Sequence, residues 1–349
     1  MANPLQTKKD KLPLSNTTLL LTITICSFFA MYLLAMIIWG GGFLNPQQFL
    51  DIFNNNAYLI LVACGLTIVM ITGGIDISVG GTIALITMTT VVYMRDHNGG
   101  VLSAILIALG IGLAMGLVQG TLVAYLKIQP FIVTLAGMFF TRGMTTIVSK
   151  EPVTAKNAAF LAIKEAHLKI PGLGRYAKNG NFIPAYIEIG VVIALVVVII
   201  LWATLKWSRF GRNLYAVGGN NESALMLGIN VQKTQFFAYV LCGLLAGLGG
   251  LAYLLHTGAG NASNATQAEM QAIASSIIGG TLLSGGVGSV IGTLFGVMSL
   301  KTINNIVVAS GLREPYWQSI TTGLMLCFFI LLQSVILASR KKKLGNQAG

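Results

Sequence analysis

The chain has 349 residues, of which 55% are hydrophobic and only 9% charged, with a mean hydropathy of +0.78. Soluble domains carry roughly a quarter charged residues, so this composition excludes a water-soluble globule and places the chain in a bilayer. The formal net charge of +12 falls in the stretches between apolar runs, where it sets topology, and nucleic acid is a poor inference from it.

A span needs about 20 apolar residues. On that measure the sequence predicts an all-α membrane protein with about ten transmembrane helices, near 17–39, 57–74, 76–94, 101–126, 131–148, 186–206, 235–256, 270–284, 287–309 and 316–338. The first run, Thr17 to Trp39, exceeds the ~7–15 residue core of a signal peptide and reads as a retained span. Gln129-Pro130 breaks the chain between the fourth and fifth spans, because proline cannot continue a helix. The second–third and eighth–ninth junctions are glycine-rich and read equally as loops or as broken helices.

One membrane domain, 1–349, therefore carries a tail (1–16), an external loop (149–185), a polar segment (207–234) and a second tail (339–349). Lys8, Lys9 and Lys11 precede the first span, and Arg340 to Lys343 follow the last. An even span count puts both termini on one side, and their basic residues make that side cytoplasmic, together with Lys206, Arg209, Arg212 and Lys233. The loop from Lys150 to Pro184 then lies outside despite Lys150, Lys156, Lys164, Lys169, Arg175 and Lys178. Cys26, Cys64, Cys242 and Cys327 sit in apolar segments without a C-x-x-C pair and read as packing residues. His97, His167 and His256 are scattered, so no metal site is expected.

Small-residue ladders recur in two spans. Gly112, Gly116 and Gly120 mark the fourth, and Gly288, Gly292 and Gly296 the ninth. Such ladders let helix backbones approach closely in lipid. Each span is followed by an X-Pro-aromatic element, Gln129-Pro130-Phe131 and Glu314-Pro315-Tyr316. An offset of five spans makes this an inverted repeat, a frequent transporter plan; chance in a chain with 41 glycines is the alternative.

The stretch Thr72-Gly73-Gly74-Ile75-Asp76-Ile77-Ser78-Val79-Gly80-Gly81 sets a carboxylate between glycine pairs at membrane depth. Asp76 is open to two readings, a cap for the helix that follows or a contact on a solute path. Ser284-Gly285-Gly286-Val287-Gly288-Ser289 repeats the glycine break without the acid. Arg142 and Lys301 are cations within spans, open to pairing with carboxylates or carbonyls, to snorkelling of Arg142 towards the outer face, or to a place on the substrate path, and Thr266-Gln267-Ala268-Glu269 has the spacing of a capping box. There is no G-x-x-x-x-G-K-[ST] string, so the chain is not its own ATPase by that route, and no catalytic set is present. Between Lys206 and Lys233 one short helix is expected, with Asn220 or Asn221 as N-cap, Glu222 in its first turn and Gly228 at its end. Ala224, Leu225 and Leu227 are then free to enter a groove on a partner.

Taken together, Gly73 to Gly80, Gln129-Pro130-Phe131-Ile132-Val133-Thr134-Leu135, Gly211-Arg212-Asn213 through Gly228-Ile229, and Glu269-Met270-Gln271-Ala272-Ile273-Ala274 through Gly279-Gly280-Thr281 resemble the permease subunits of carbohydrate ABC importers, the group with the ribose, galactose and xylose systems. Ser223 departs from the small apolar residue common there. The resemblance implies a type II ABC importer-like fold in the bacterial inner membrane. It also implies ATPase subunits that hold the ATP and magnesium, an external sugar-binding protein, a second permease copy, and surrounding lipid, with no cofactor in this chain. ATPase coupling is then expected from Arg212, Asn221, Glu222, Ser223, Ala224, Leu225, Leu227 and Gly228. The amide, hydroxyl and aromatic groups that sugar sites use are available at Asn56, Gln129, Phe131, Thr134, Phe139 and Asn305, with Asp76 as a further path residue. The competing readings are an ion-coupled secondary transporter built around Asp76, or an ABC permease for nucleosides or branched-chain amino acids.

Overall fold

The computed structural model describes residues 16–40, 42–176 and 182–348, with side chains in those ranges except at 16–17, 176 and 336–348. Lys8, Lys9, Lys11 and Lys178, and the side chains of Arg340 to Lys343, lie outside the described residues. The chain runs through α1 (Asn16–Trp39), α2 (Pro46–Asn54), α3 (Ala57–Ile71), α4 (Val79–His97), α5 (Val101–Ala124) and α6 (Pro130–Val148). It continues through β1 (Val153–Thr154), α7 (Ala158–Glu165), β2 (His167–Tyr176), β3 (Phe182–Glu188), α8 (Ile189–Trp207), α9 (Arg209–Gly219), α10 (Asn221–Met226) and α11 (Val231–Thr257). The last elements are β4 (Ala259–Gly260), α12 (Ala268–Ile278), α13 (Val290–Ala309) and α14 (Pro315–Ala348).

Among the described residues seven helices are long and apolar enough to cross a membrane, or eight if α2 and α3, which meet at 52°, form one bent span. The expected count of ten is not reached. Two of the missing spans, α3 and α12, are short helices that end at the glycine-rich junctions, and the third, α4, has 19 residues but closes on the polar Arg95-Asp96-His97. The helix of α3 is 15 residues long and ends before Thr72-Gly73-Gly74, and α12 has only 11 residues before Gly279-Gly280.

These interrupted helices form the core. Every residue of α3 except Tyr58 is buried, as expected of a helix that is apolar all round. It packs against α8, α11, α12 and α13. At the end of the bundle remote from α9 and α10, β2 pairs with β3 as an antiparallel hairpin and β1 with β4. A repeat of helix contacts runs through the packing. Moving from α3, α4, α5 and α6 to α11, α12, α13 and α14 converts the contacts α5–α11, α4–α11, α4–α5, α4–α6 and α5–α6 into α13–α3, α12–α3, α12–α13, α12–α14 and α13–α14, and all of these occur. Pro130 and Pro315 open the corresponding helices α6 and α14.

Both glycine ladders make close helix crossings. A Cβ on Gly116 would lie 2.8 Å from the Tyr239 carbonyl oxygen and 2.9 Å from Val240 Cα on α11, and Gly112 faces Gly243 and Gly247. On α13, Gly292 and Gly296 meet the backbone of α12 at Gly279 and Ser275. Overpacking a close-fitted site costs about 1–3 kcal/mol. Gly116→Ala should therefore lower the resistance of the purified chain to denaturation by SDS. Gly110→Ala, on the same helix with nothing within 4 Å of the added carbon, should leave it unchanged.

Candidate functional site

The polar segment between α8 and α11 folds as two short helices against the bundle. Ser208 caps α9, its hydroxyl oxygen accepting from the Gly211 amide at 2.9 Å. Gly211 lies so close to the Thr204–Leu205 backbone that no side chain fits there. Leu214 and Val217 are buried, and the Tyr215 hydroxyl donates to the Gly288 carbonyl at 2.9 Å. The end of α9 meets both glycine breaks. Gly218 abuts the Ile71 carbonyl and the Gly286 amide, which bond to each other at 2.9 Å. Gly73, Gly285 and Gly286 have φ of 81°, 84° and 75°, the left-handed region in which glycine is unstrained.

Asn220 is the N-cap of α10, its side-chain oxygen accepting from the Ser223 amide at 2.8 Å. Gly228, at φ 77°, closes the helix. Its amide donates to the Leu225 carbonyl at 2.9 Å and the Ile229 amide to the Ala224 carbonyl at 3.1 Å, the paired bonds of a Schellman cap. The expectation that Ala224 faces a partner is corrected, because it is 1% exposed and seats the helix on its own chain. Leu225, Met226 and Leu227 are 65%, 87% and 78% exposed. Met226 was not among the residues expected here; the run of three apolar residues closing a polar segment was the available signal. Asn221, Glu222 and Ser223 are exposed beside them. Arg212 is exposed and donates to the Trp207 carbonyl at 3.2 Å, where its charge suits the end of α8.

Two cavities flank this unit. One, of ≈330 Å³, is lined by Thr72, Gly74, Gly219, Tyr239 and Ser284. The other, of ≈800 Å³, brings Gln129 together with Glu222, Leu225 and Gly228.

The remaining path candidates are not gathered into one site. Asn56 is buried at the bend between α2 and α3, donating to the Ile52 carbonyl at 2.8 Å. Thr134 is buried and donates to the Pro130 carbonyl at 2.9 Å. Phe131 and Phe139 are exposed on α6, and Asn305 on α13. Asp76 is 2% exposed. One of its oxygens accepts from the Ser78 amide at 2.9 Å and the Ser78 hydroxyl at 2.7 Å, and the Cys242 thiol donates to the other at 3.5 Å. Gln119 donates to the same Ser78 hydroxyl at 2.7 Å and Tyr239 to the Ile75 carbonyl at 3.2 Å. Asp76 thus holds the turn into α4, and α5 and α11 lock that turn. Arg142 pairs with carbonyls, at Ala262, Asn264 and Ala265. The capping box does not form: Gln267 takes a φ of 66° without a side-chain cap, and the Thr266 hydroxyl turns to the Ser263 carbonyl at 2.7 Å.

A family described as branched-chain amino acid transport system / permease component matches residues 48–330. The chain belongs to this permease family. The permease is 37% identical over 318 residues, 91% of its length and 92% of the relative's, to the inner membrane ABC transporter permease protein YjfF of Escherichia coli K12. It is 34% identical to the fructose import permease protein FruG of Bifidobacterium longum, over 87% of this chain and 88% of that one. It is 32% identical to the ribose import permease protein RbsC of Escherichia coli K12, over 84% and 87%. No solved structure matches it. As a permease it is a multi-pass membrane protein and a component of a transport system, not an enzyme.

The Asp76 geometry separates two roles. Asparagine keeps the accepting oxygen, so Asp76→Asn should retain most solute uptake. Asp76→Ala orphans buried donors at a cost of about 1–3 kcal/mol and should lower thermal stability in detergent. Abolished uptake in a well-folded Asp76→Asn protein would return the carboxylate to the transport path.

Proposed function

We propose that this chain is the membrane subunit of an ATP-driven ABC importer for a neutral monosaccharide, and that α9 and α10 form its docking site for the ATPase. The observation that carries the reading is the exposed run Leu225-Met226-Leu227 on a doubly capped helix whose neighbour, α9, rests on the glycine breaks. Exposed apolar side chains on a polar segment suit insertion into a hydrophobic groove. Movement of α9 is delivered to the backbone of α3 and α13 without an intervening flexible side chain.

In this reading ATP and magnesium reside in the partner ATPase. An external binding protein delivers the solute to the face carrying the β2–β3 hairpin, and a second permease copy completes the path within the lipid. The termini and α9–α10 share the cytoplasmic side. A sugar cargo is supported by the fructose and ribose import named for relatives. The family's description, branched-chain amino acid transport, favours leucine-type cargo as the second reading.

Gly228→Pro removes the amide bonded to Leu225 and demands a negative φ where the chain has 77°. Glu222→Lys reverses the charge in the first turn of α10. Both variants should insert normally but lose most uptake per ATP hydrolysed, measured in vesicles with the native ATPase and binding protein. Wild-type coupling in both would contradict the docking assignment.

A further inference from the structure

A cavity of ≈750 Å³ lies between the first turns of α12 and α14, away from α9 and α10. Gln267 and Gln271 line it from α12 beside Met270, and Gln318, Ser319 and Thr322 from α14 beside Leu326. Other positions of α14, among them Ile320, Leu324, Phe328 and Leu331, are exposed and apolar. Amides are costly against lipid and tolerated where they line a cavity, so one side of α14 suits lipid and the other suits a solute.

Two of the amides are held in a fixed sense. Lys301 reaches from α13, and its ammonium donates to Gln271 Oε1 at 2.6 Å. An ammonium has donors only, so Gln271 must turn its oxygen to Lys301 and its NH₂ away from it. The Ser319 hydroxyl donates to Gln267 Oε1 at 3.0 Å, which leaves a second NH₂ available. Tyr316 adds an exposed ring to the wall. Among the described residues no carboxylate, lysine, arginine or histidine lines the cavity. A zwitterionic amino acid would favour a charged partner for each of its ionised groups. Pre-set amide donors beside an aromatic face match the hydroxyl oxygens and C–H face of a neutral sugar.

We propose that this cavity is a binding station for a neutral monosaccharide during translocation, with Gln267, Gln271 and Gln318 each donating to its hydroxyl groups. The assignment rests on the permease reading above and adds the residues that would select sugar over amino acid.

The test uses the full complex of permease, ATPase and binding protein in proteoliposomes, with radiolabelled fructose, galactose, ribose and leucine as probes. Gln318→Leu should reduce sugar uptake about tenfold, the factor that loss of one good hydrogen bond gives, while ATP hydrolysis stimulated by the binding protein persists. In a Cys26→Ser, Cys327→Ser background, which removes the exposed cysteines, Thr322→Cys should be labelled by a maleimide more slowly when the transported sugar and binding protein are present. Wild-type sugar uptake by Gln318→Leu, labelling insensitive to sugar, or transport of leucine alone would each overturn the proposal. A failure of the unmodified complex to couple any uptake to ATP would instead overturn the permease reading beneath it.

Discussion

Where the polar segment meets the bundle, three backbones touch without side chains between them. Gly218 at the end of α9 sits on the Ile71 carbonyl, which ends α3, and on the Gly286 amide, which precedes α13. The last carbonyls of a helix lack intrahelical donors, and in lipid each unsatisfied group costs several kcal/mol. The Gly286 amide supplies one such donor to Ile71. The contact is therefore both a cap for a broken helix and the seat of the polar segment. Any side chain at Gly218 would push these elements apart, so the position of α9 and the geometry of both breaks are a single variable.

The same economy of side chains runs through the bundle. Lipid offers little hydrophobic drive for helix association, so close shape matching does much of the work. The α5–α11 and α12–α13 crossings achieve it through glycine against glycine. Several of the polar groups within the bundle have a specific partner. Asp76 is consumed by the turn into α4, Arg142 by backbone carbonyls, and Lys301 by Gln271. An ion-coupled mechanism built on Asp76 finds no support in that geometry, since both carboxylate oxygens already have donors.

Much of this was legible in the residues. The apolar runs located the long helices, the glycine ladders located the closest crossings, and Asn220 and Gly228 marked the ends of α10. The count of ten is not confirmed where a glycine pair ends a short helix, as in α3 and α12, or where a polar end lowers the hydropathy of a long one, as in α4. The exposure of Met226 and the burial of Ala224 depend on which way a six-residue helix faces its own bundle, and so short a helix has too little periodicity to reveal it. The path candidates were chosen by side-chain chemistry alone, and chemistry carries no information about proximity. The amide cluster of α12 and α14 joins residues some fifty positions apart in the chain, a distance reflected in the separation of 52 between Gln267 and Ser319, which only the fold brings together.

The most direct test of the central claim compares Gly218→Ala with Gly219→Ala in the complete transport complex, following solute uptake and ATP hydrolysis in the same vesicles. A Cβ at Gly218 collides with the Ile71 and Gly286 backbones, whereas one at Gly219 meets nothing within 4 Å. The account predicts that Gly218→Ala inserts and still hydrolyses ATP but loses about tenfold or more of its uptake per ATP, the effect of roughly 1.4 kcal/mol, while Gly219→Ala behaves as wild type. Equal, undiminished coupling in both variants would show that α9 does not act on the bundle through this contact.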